Sequence, residues 1–218
     1  MENTLTREKL QEKIKNGENV STADTSRIDD MSYLFNDKTF NQPLNSWDVS
    51  KVTDMHGMFF DLKNFNQPLN DWDVSKVTDM QHMFYSAKSF NQPLNEWDVS
   101  NVTNMQEMFY YATSFNQPLN EWDVSKVENM SRMFLNAWSF NQSLNDWNVS
   151  NVEDMKGMFF NARRYTGSMK DWKLKQDCFV HLFLEYCPLW HLFNTKEDLP
   201  IHYSKRIKLE DKTSWKLL

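Results

Sequence analysis

FNQPLNEWDVSNV, residues 90–102, recurs almost unchanged 25 and 50 residues upstream and again 25 and 50 residues downstream. The anchors set the period: Leu44, Leu69, Leu94, Leu119 and Leu144; Trp47, Trp72, Trp97, Trp122 and Trp147; Val49, Val74, Val99, Val124 and Val149. A fixed period of this size means stacked supersecondary units, none of which can bury its apolar face alone.

Each repeat reads as two halves. Leu44, Trp47 and Val49 repeat the LxxLxL spacing of leucine-rich repeats, whose apolar residues point inward from a short strand. Val52, Met55, Met58 and Phe59 follow at spacings of three and four, which put them on one face of a short helix. Phe65 then closes the turn ahead of Pro68, which discourages helix continuation. The expected fold is therefore an α/β repeat solenoid of about six to seven coils, each a short strand plus a short helix. Asp24 to Met31 align with Asp48 to Met55, with Ala23 where Trp would stand, so the repeats begin near Val20. A seventh helix is expected at 178–186, before the period is lost at Pro188.

The boundaries are accordingly 1–19 for an N-terminal capping helix, 20–187 for the repeats and 188–218 for a C-terminal cap, all within one elongated domain. In the N-terminal segment Thr4 or Thr6 offers an N-cap, Leu10 and Ile14 share a face, and Asn16-Gly17 signals the end.

The net charge is −6, but residues 20–172 alone carry 20 acids against 12 bases. Such a body repels phosphate backbones, which argues against nucleic acid. No apolar signal core opens the chain and no run of about eighteen apolar residues occurs, which argues against membrane insertion and, on the sequence as given, for the cytoplasm. Cys178 and Cys187 are too few to frame a fold and read as reduced packing residues.

The repeated motif, NQPLNxWDVSxVTxMxxMFxxA, resembles that of the BspA-like leucine-rich-repeat surface proteins over about residues 20–187. The resemblance implies a right-handed solenoid of the leucine-rich-repeat type, a place at the cell surface or outside the cell, and adhesion or protein recognition. It brings no catalytic residues and no cofactor.

Two polar ladders, Asn41, Asn66, Asn91, Asn116 and Asn141 with Asn45, Asn70, Asn95, Asn120 and Asn145, read as bonds between loop backbones. A third runs Asp48, Asp73, Asp98, Asp123 and Asn148, and Asp71, Glu96, Glu121 and Asp146 stand two positions before its last four members. Position 48 lies between inward Trp47 and inward Val49 and so must face out. Such a stripe serves as a solvated face that resists edge pairing, as turn caps directed toward Ser50, or as a binding face for a basic protein. Asp48, Asp71, Asp73, Glu96, Asp98, Glu121, Asp123 and Asp146 are the expected binding residues, with Trp138 as an anchor, either free or packed on Arg163.

Calcium-dependent adhesion is the alternative, although no glycine-bearing calcium loop is present and no metal ligand set is expected. An enzyme is a remote one, because His56, His82, His181, His191 and His202 occupy unlike phases and form no ladder. The sequence thus points to a monomeric, non-enzymatic recognition or adhesion scaffold for a protein partner.

Overall fold

A computed structural model describes residues 5–35, 37–169 and 171–188. Of the expected C-terminal cap at 188–218 only Pro188 is among the described residues.

Helix α1 (Arg7–Lys15) opens the chain, with Thr6 as N-cap accepting from the Lys9 amide. It ends in a Schellman turn: the amides of Gly17 and Glu18 reach back to Ile14 and Lys13 at 3.0 Å each, with Gly17 at φ +71°. Leu10 and Ile14 are buried and join the core of the first coil.

The repeats stack in register, but the strand-plus-helix reading of each coil is wrong. Among the described residues α1 is the only α-helix, and named strands are replaced by isolated parallel bridges, from Asp30↔Asp54 through Asp79↔Asn104 to Asp154↔Phe179. Each coil is a succession of tight turns. In the first full coil the amide of Trp47 bonds Leu44 at 3.0 Å, Val52 bonds Val49 at 2.9 Å, Met58 bonds Met55 at 3.1 Å, and Leu62 bonds Phe59 at 3.2 Å.

Turn geometry accounts for the misreading. A β-turn brings its first and fourth residues together, so apolar residues three apart end up side by side without any helix. The helical spacing Met55, Met58, Phe59, Leu62 comes from two such turns in succession. A helix cannot run here, because two phases per coil lie in the left-handed region. Gly57, His82, Glu107, Arg132 and Gly157 have φ of 54–59°, as do Asp61, Ser86, Tyr111, Asn136 and Asn161 at 55–59°. The 178–186 stretch follows the same path, with Leu182 and Tyr186 at positive φ.

This backbone divides its amides between two tasks. Those of Gly57, Phe59 and Asp61 donate to Gln81, Met83 and Tyr85 of the next coil at 2.7–2.9 Å, while those of Met58, Phe60 and Leu62 close turns within their own coil. An α-helix would have spent both sets internally and left nothing to join the coils.

Side chains complete the stack. Phe59, Phe84, Phe109, Phe134 and Phe159 form one buried column with ring centroids 5.2–5.6 Å apart. Phe65, Phe90, Phe115, Phe140 and Tyr165 form another at 5.9–6.1 Å. Each such ring contributes about 1.5–3 kcal/mol of transfer free energy before entropy is subtracted. The indole N–H of Trp72 donates to Leu44 O at 3.0 Å, and Trp97, Trp122, Trp147 and Trp172 repeat that bond. Cys178 and Cys187 are buried thiols, and that of Cys187 donates to Tyr165 O at 3.3 Å.

The first asparagine ladder does bond backbone between coils: Asn41, Asn66, Asn91 and Asn116 Oδ1 accept the amides of Asn66, Asn91, Asn116 and Asn141 at 2.8–3.1 Å. The second is less regular. Asn95 accepts from the Glu121 amide, whereas Asn70 and Asn120 turn their amides to the carboxylates beside them.

Candidate recognition face

The acidic residues expected to bind stand where the sequence places them, exposed along one side of the stack. Asp48, Asp73, Asp98 and Asp123 each use Oδ1 to accept the amide of the serine two residues on, at 3.0–3.1 Å. Asn148 does the same for Ser150 at 3.2 Å. Serine hydroxyl and amide together hold the carboxyls of Asp48, Asp73 and Asp123 below the usual carboxylate range, and nearby lysines add to the effect. Asp71, Glu96, Glu121 and Asp146 are exposed in the neighbouring column, with Asp71 accepting from the Asn70 amide at 2.7 Å.

A different side of the coils carries the residues in which the repeats differ from one another. Phe60, Tyr85 and Tyr110 stack in a half-buried column at 4.5–4.6 Å, nearly parallel. Burial, and after it the neighbouring tyrosines, push the Tyr110 hydroxyl up to about 12, so it stays a neutral donor. Lys38 caps the Phe60 ring at 5.3 Å. Trp138 is 38% exposed, with the Arg163 guanidinium 4.8 Å above its ring and Tyr111 at its edge.

Next to that column a polar chain crosses five coils. Tyr33 Oη lies 3.1 Å from His56 Nε2, which lies 3.2 Å from His82 Nδ1. His82 Nε2 faces Glu107 Oε2 at 3.4 Å, and Glu107 Oε1 accepts from Arg132 Nη1 at 2.9 Å. The bond from His82, then that from Arg132, lowers the Glu107 pKa against its burial. His56 and His82 therefore meet although they occupy unlike phases of the repeat. Among the described residues no three His, Cys, Asp or Glu side chains converge as a set.

The sequence matches the family described as Mycoplasma protein of unknown function, DUF285, over residues 4–110 and 92–187. The chain belongs to DUF285. No curated protein and no solved structure matches it.

In this DUF285 chain the aromatic and histidine face was not singled out by the repeat anchors, because it is built from the residues that break the pattern. A signal was nevertheless present: Phe60, Tyr85 and Tyr110 share one phase, and so do His82, Glu107 and Arg132. Among the described residues no helix is long and apolar enough to cross a membrane.

Proposed function

We propose that the chain is a non-enzymatic recognition scaffold for a polypeptide partner, serving adhesion in the manner of the BspA-like surface proteins whose repeat motif it resembles. One observation carries the reading: the residues that build the coil repeat, while the outer face of Tyr33, Phe60, Tyr85, Tyr110, Tyr111 and Trp138 varies from coil to coil on a fixed frame. Half-buried tyrosine and tryptophan offer large, stiff contact area at little entropic cost, which is what interface anchors need.

The acidic column has a second role in this scheme. Its aspartates already make turns, but their charge is exposed and supplies a linear negative field. That field favours a basic partner and speeds encounter within about 8 Å at physiological salt.

Selection of a random peptide library on the immobilised chain tests the reading. Recovered peptides should lose binding to a Tyr85→Ala, Tyr110→Ala, Trp138→Ala variant, and should bind the parent more slowly as salt rises. Peptides that bind the aromatic-deleted chain as well as the parent would remove the face from consideration.

A further inference from the structure

We propose that His56 and His82 form a binding site for a divalent transition-metal ion such as zinc, held between His56 Nε2 and His82 Nδ1. The site goes beyond the recognition reading and requires no partner.

The distance between the two nitrogens is the first argument. Zinc–nitrogen bonds of about 2.0–2.1 Å at a tetrahedral angle place two ligand atoms about 3.3 Å apart. His56 Nε2 and His82 Nδ1 stand 3.2 Å apart, the bite that one ion needs. Imidazole suits zinc, copper and nickel.

Proton accounting is the second. Glu107 takes the Nε2–H of His82, which leaves Nδ1 of a neutral His82 with a lone pair. That lone pair faces His56 Nε2, with the Gln81 side-chain nitrogen 3.5 Å from the same His82 atom, and Tyr33 Oη faces the same His56 nitrogen at 3.1 Å. A single ring proton on His56 has two acceptors in different directions and cannot serve both fully. An ion set off the line between the two nitrogens, about 2 Å from each, with the His56 proton moved to Nδ1, is met by two nitrogen lone pairs and has the Tyr33 hydroxyl alongside. Water fills the remaining coordination positions.

The outer shell is the third. A metal-binding histidine usually donates its other N–H to a carboxylate, which fixes the ring and its tautomer. Glu107 does this for His82; its side chain is only 12% exposed and is itself held by Arg132. On the other side the Tyr33 ring lies over Gly57, where an added Cβ would collide with Tyr33 Cε1, so Gly57 is what lets the hydroxyl reach His56.

The test uses the tag-free full-length chain and Zn²⁺ alone, titrated calorimetrically, with Co²⁺ absorption as a second readout. One equivalent should bind and raise the melting temperature, and affinity should fall in acid, where protons compete with the ion for the ring nitrogens. His56→Gln and His82→Gln should each abolish binding, Glu107→Gln should weaken it about 10–100-fold, and His181→Gln should leave it intact. Should a variant melt early, the wild-type imidazole ¹⁵N resonances decide: Zn²⁺ must shift His56 and His82. Absence of stoichiometric binding, survival of binding in a folded His56 or His82 variant, or shifts confined to other histidines would overturn the site.

Discussion

The indole N–H of Trp97 donates to the main-chain carbonyl of Leu69 in the preceding coil, across 2.9 Å of buried interior. The bond gives this phase a reason to be tryptophan rather than phenylalanine: the indole adds a second donor to a buried carbonyl that already accepts the Trp72 amide at 3.2 Å. Trp97→Phe keeps most of the apolar bulk and removes the second of the two bonds to Leu69 O, leaving the Trp72 amide. The expected loss is about 0.5–1.5 kcal/mol, read as a lower urea midpoint at an unchanged slope. An unchanged midpoint would mean that the Trp72 amide alone satisfies the carbonyl.

Gly57 and Gly157 occupy the same phase and the same left-handed conformation, φ +59° in both. Their surroundings differ. A Cβ at Gly157 would meet nothing nearer than 3.6 Å, whereas one at Gly57 would collide with the Tyr33 ring. Gly157→Ala should therefore cost only the backbone strain, about 1–2 kcal/mol. Gly57→Ala should cost more, because Tyr33 must move as well. Equal losses in thermal melts of the two variants would show that Tyr33 is free to swing aside.

The contrast between these two glycines also marks what could be read from the chain. Stacking, register and the buried set were legible, since Leu44, Trp47, Val49, Met55 and Phe59 recur at one period and the core must be periodic. Secondary structure was not, because i and i+3 spacing is shared by helices and by chained turns, and the difference lies in the sign of φ at Asp61, Ser86 and Tyr111. Aspartate is a type enriched in the left-handed region, but serine and tyrosine do not announce that conformation, tyrosine least of all. The outward placement of Asp73 and Asp98 followed from their neighbours in sequence. The meeting of His56 with His82 did not: they stand 26 residues apart, one more than the period, and the positive φ of His82 accompanies their approach.

Deletion of residues 1–19 should expose the first layer of the core. Leu10 and Ile14 are buried in the same cluster as Met31, Leu34 and Phe35, and a stack that ends on such a layer presents a contiguous apolar patch. The truncated chain should elute as aggregate in size-exclusion chromatography where the full chain does not. A monomeric truncation with an unchanged melting temperature would show that α1 is dispensable.

Replacing Asp48, Asp73 and Asp123 together by Asn separates the two roles of the acidic column. Each carboxylate accepts from the serine amide two residues on, and Asn148 shows that an amide oxygen makes the same turn. Near neutral pH the triple variant should thus stay within about 0.5 kcal/mol of the parent per site. Acid should part them. Folding lowers the pKa of all three carboxyls, chiefly through the serine bonds, and the repulsion of Asp48 on Asp73 is the weakest of the influences on Asp73. A depressed folded pKa gives stability that is present above the unfolded value of about 3.9 and lost as pH falls through the folded one. The parent should therefore lose stability between about pH 5 and pH 3 more steeply than the variant, as urea midpoints across that range would show. A loss at pH 7 of more than about 2 kcal/mol would mean that these carboxylates support the coil in a way an amide cannot, and the column could no longer be assigned to steering a partner.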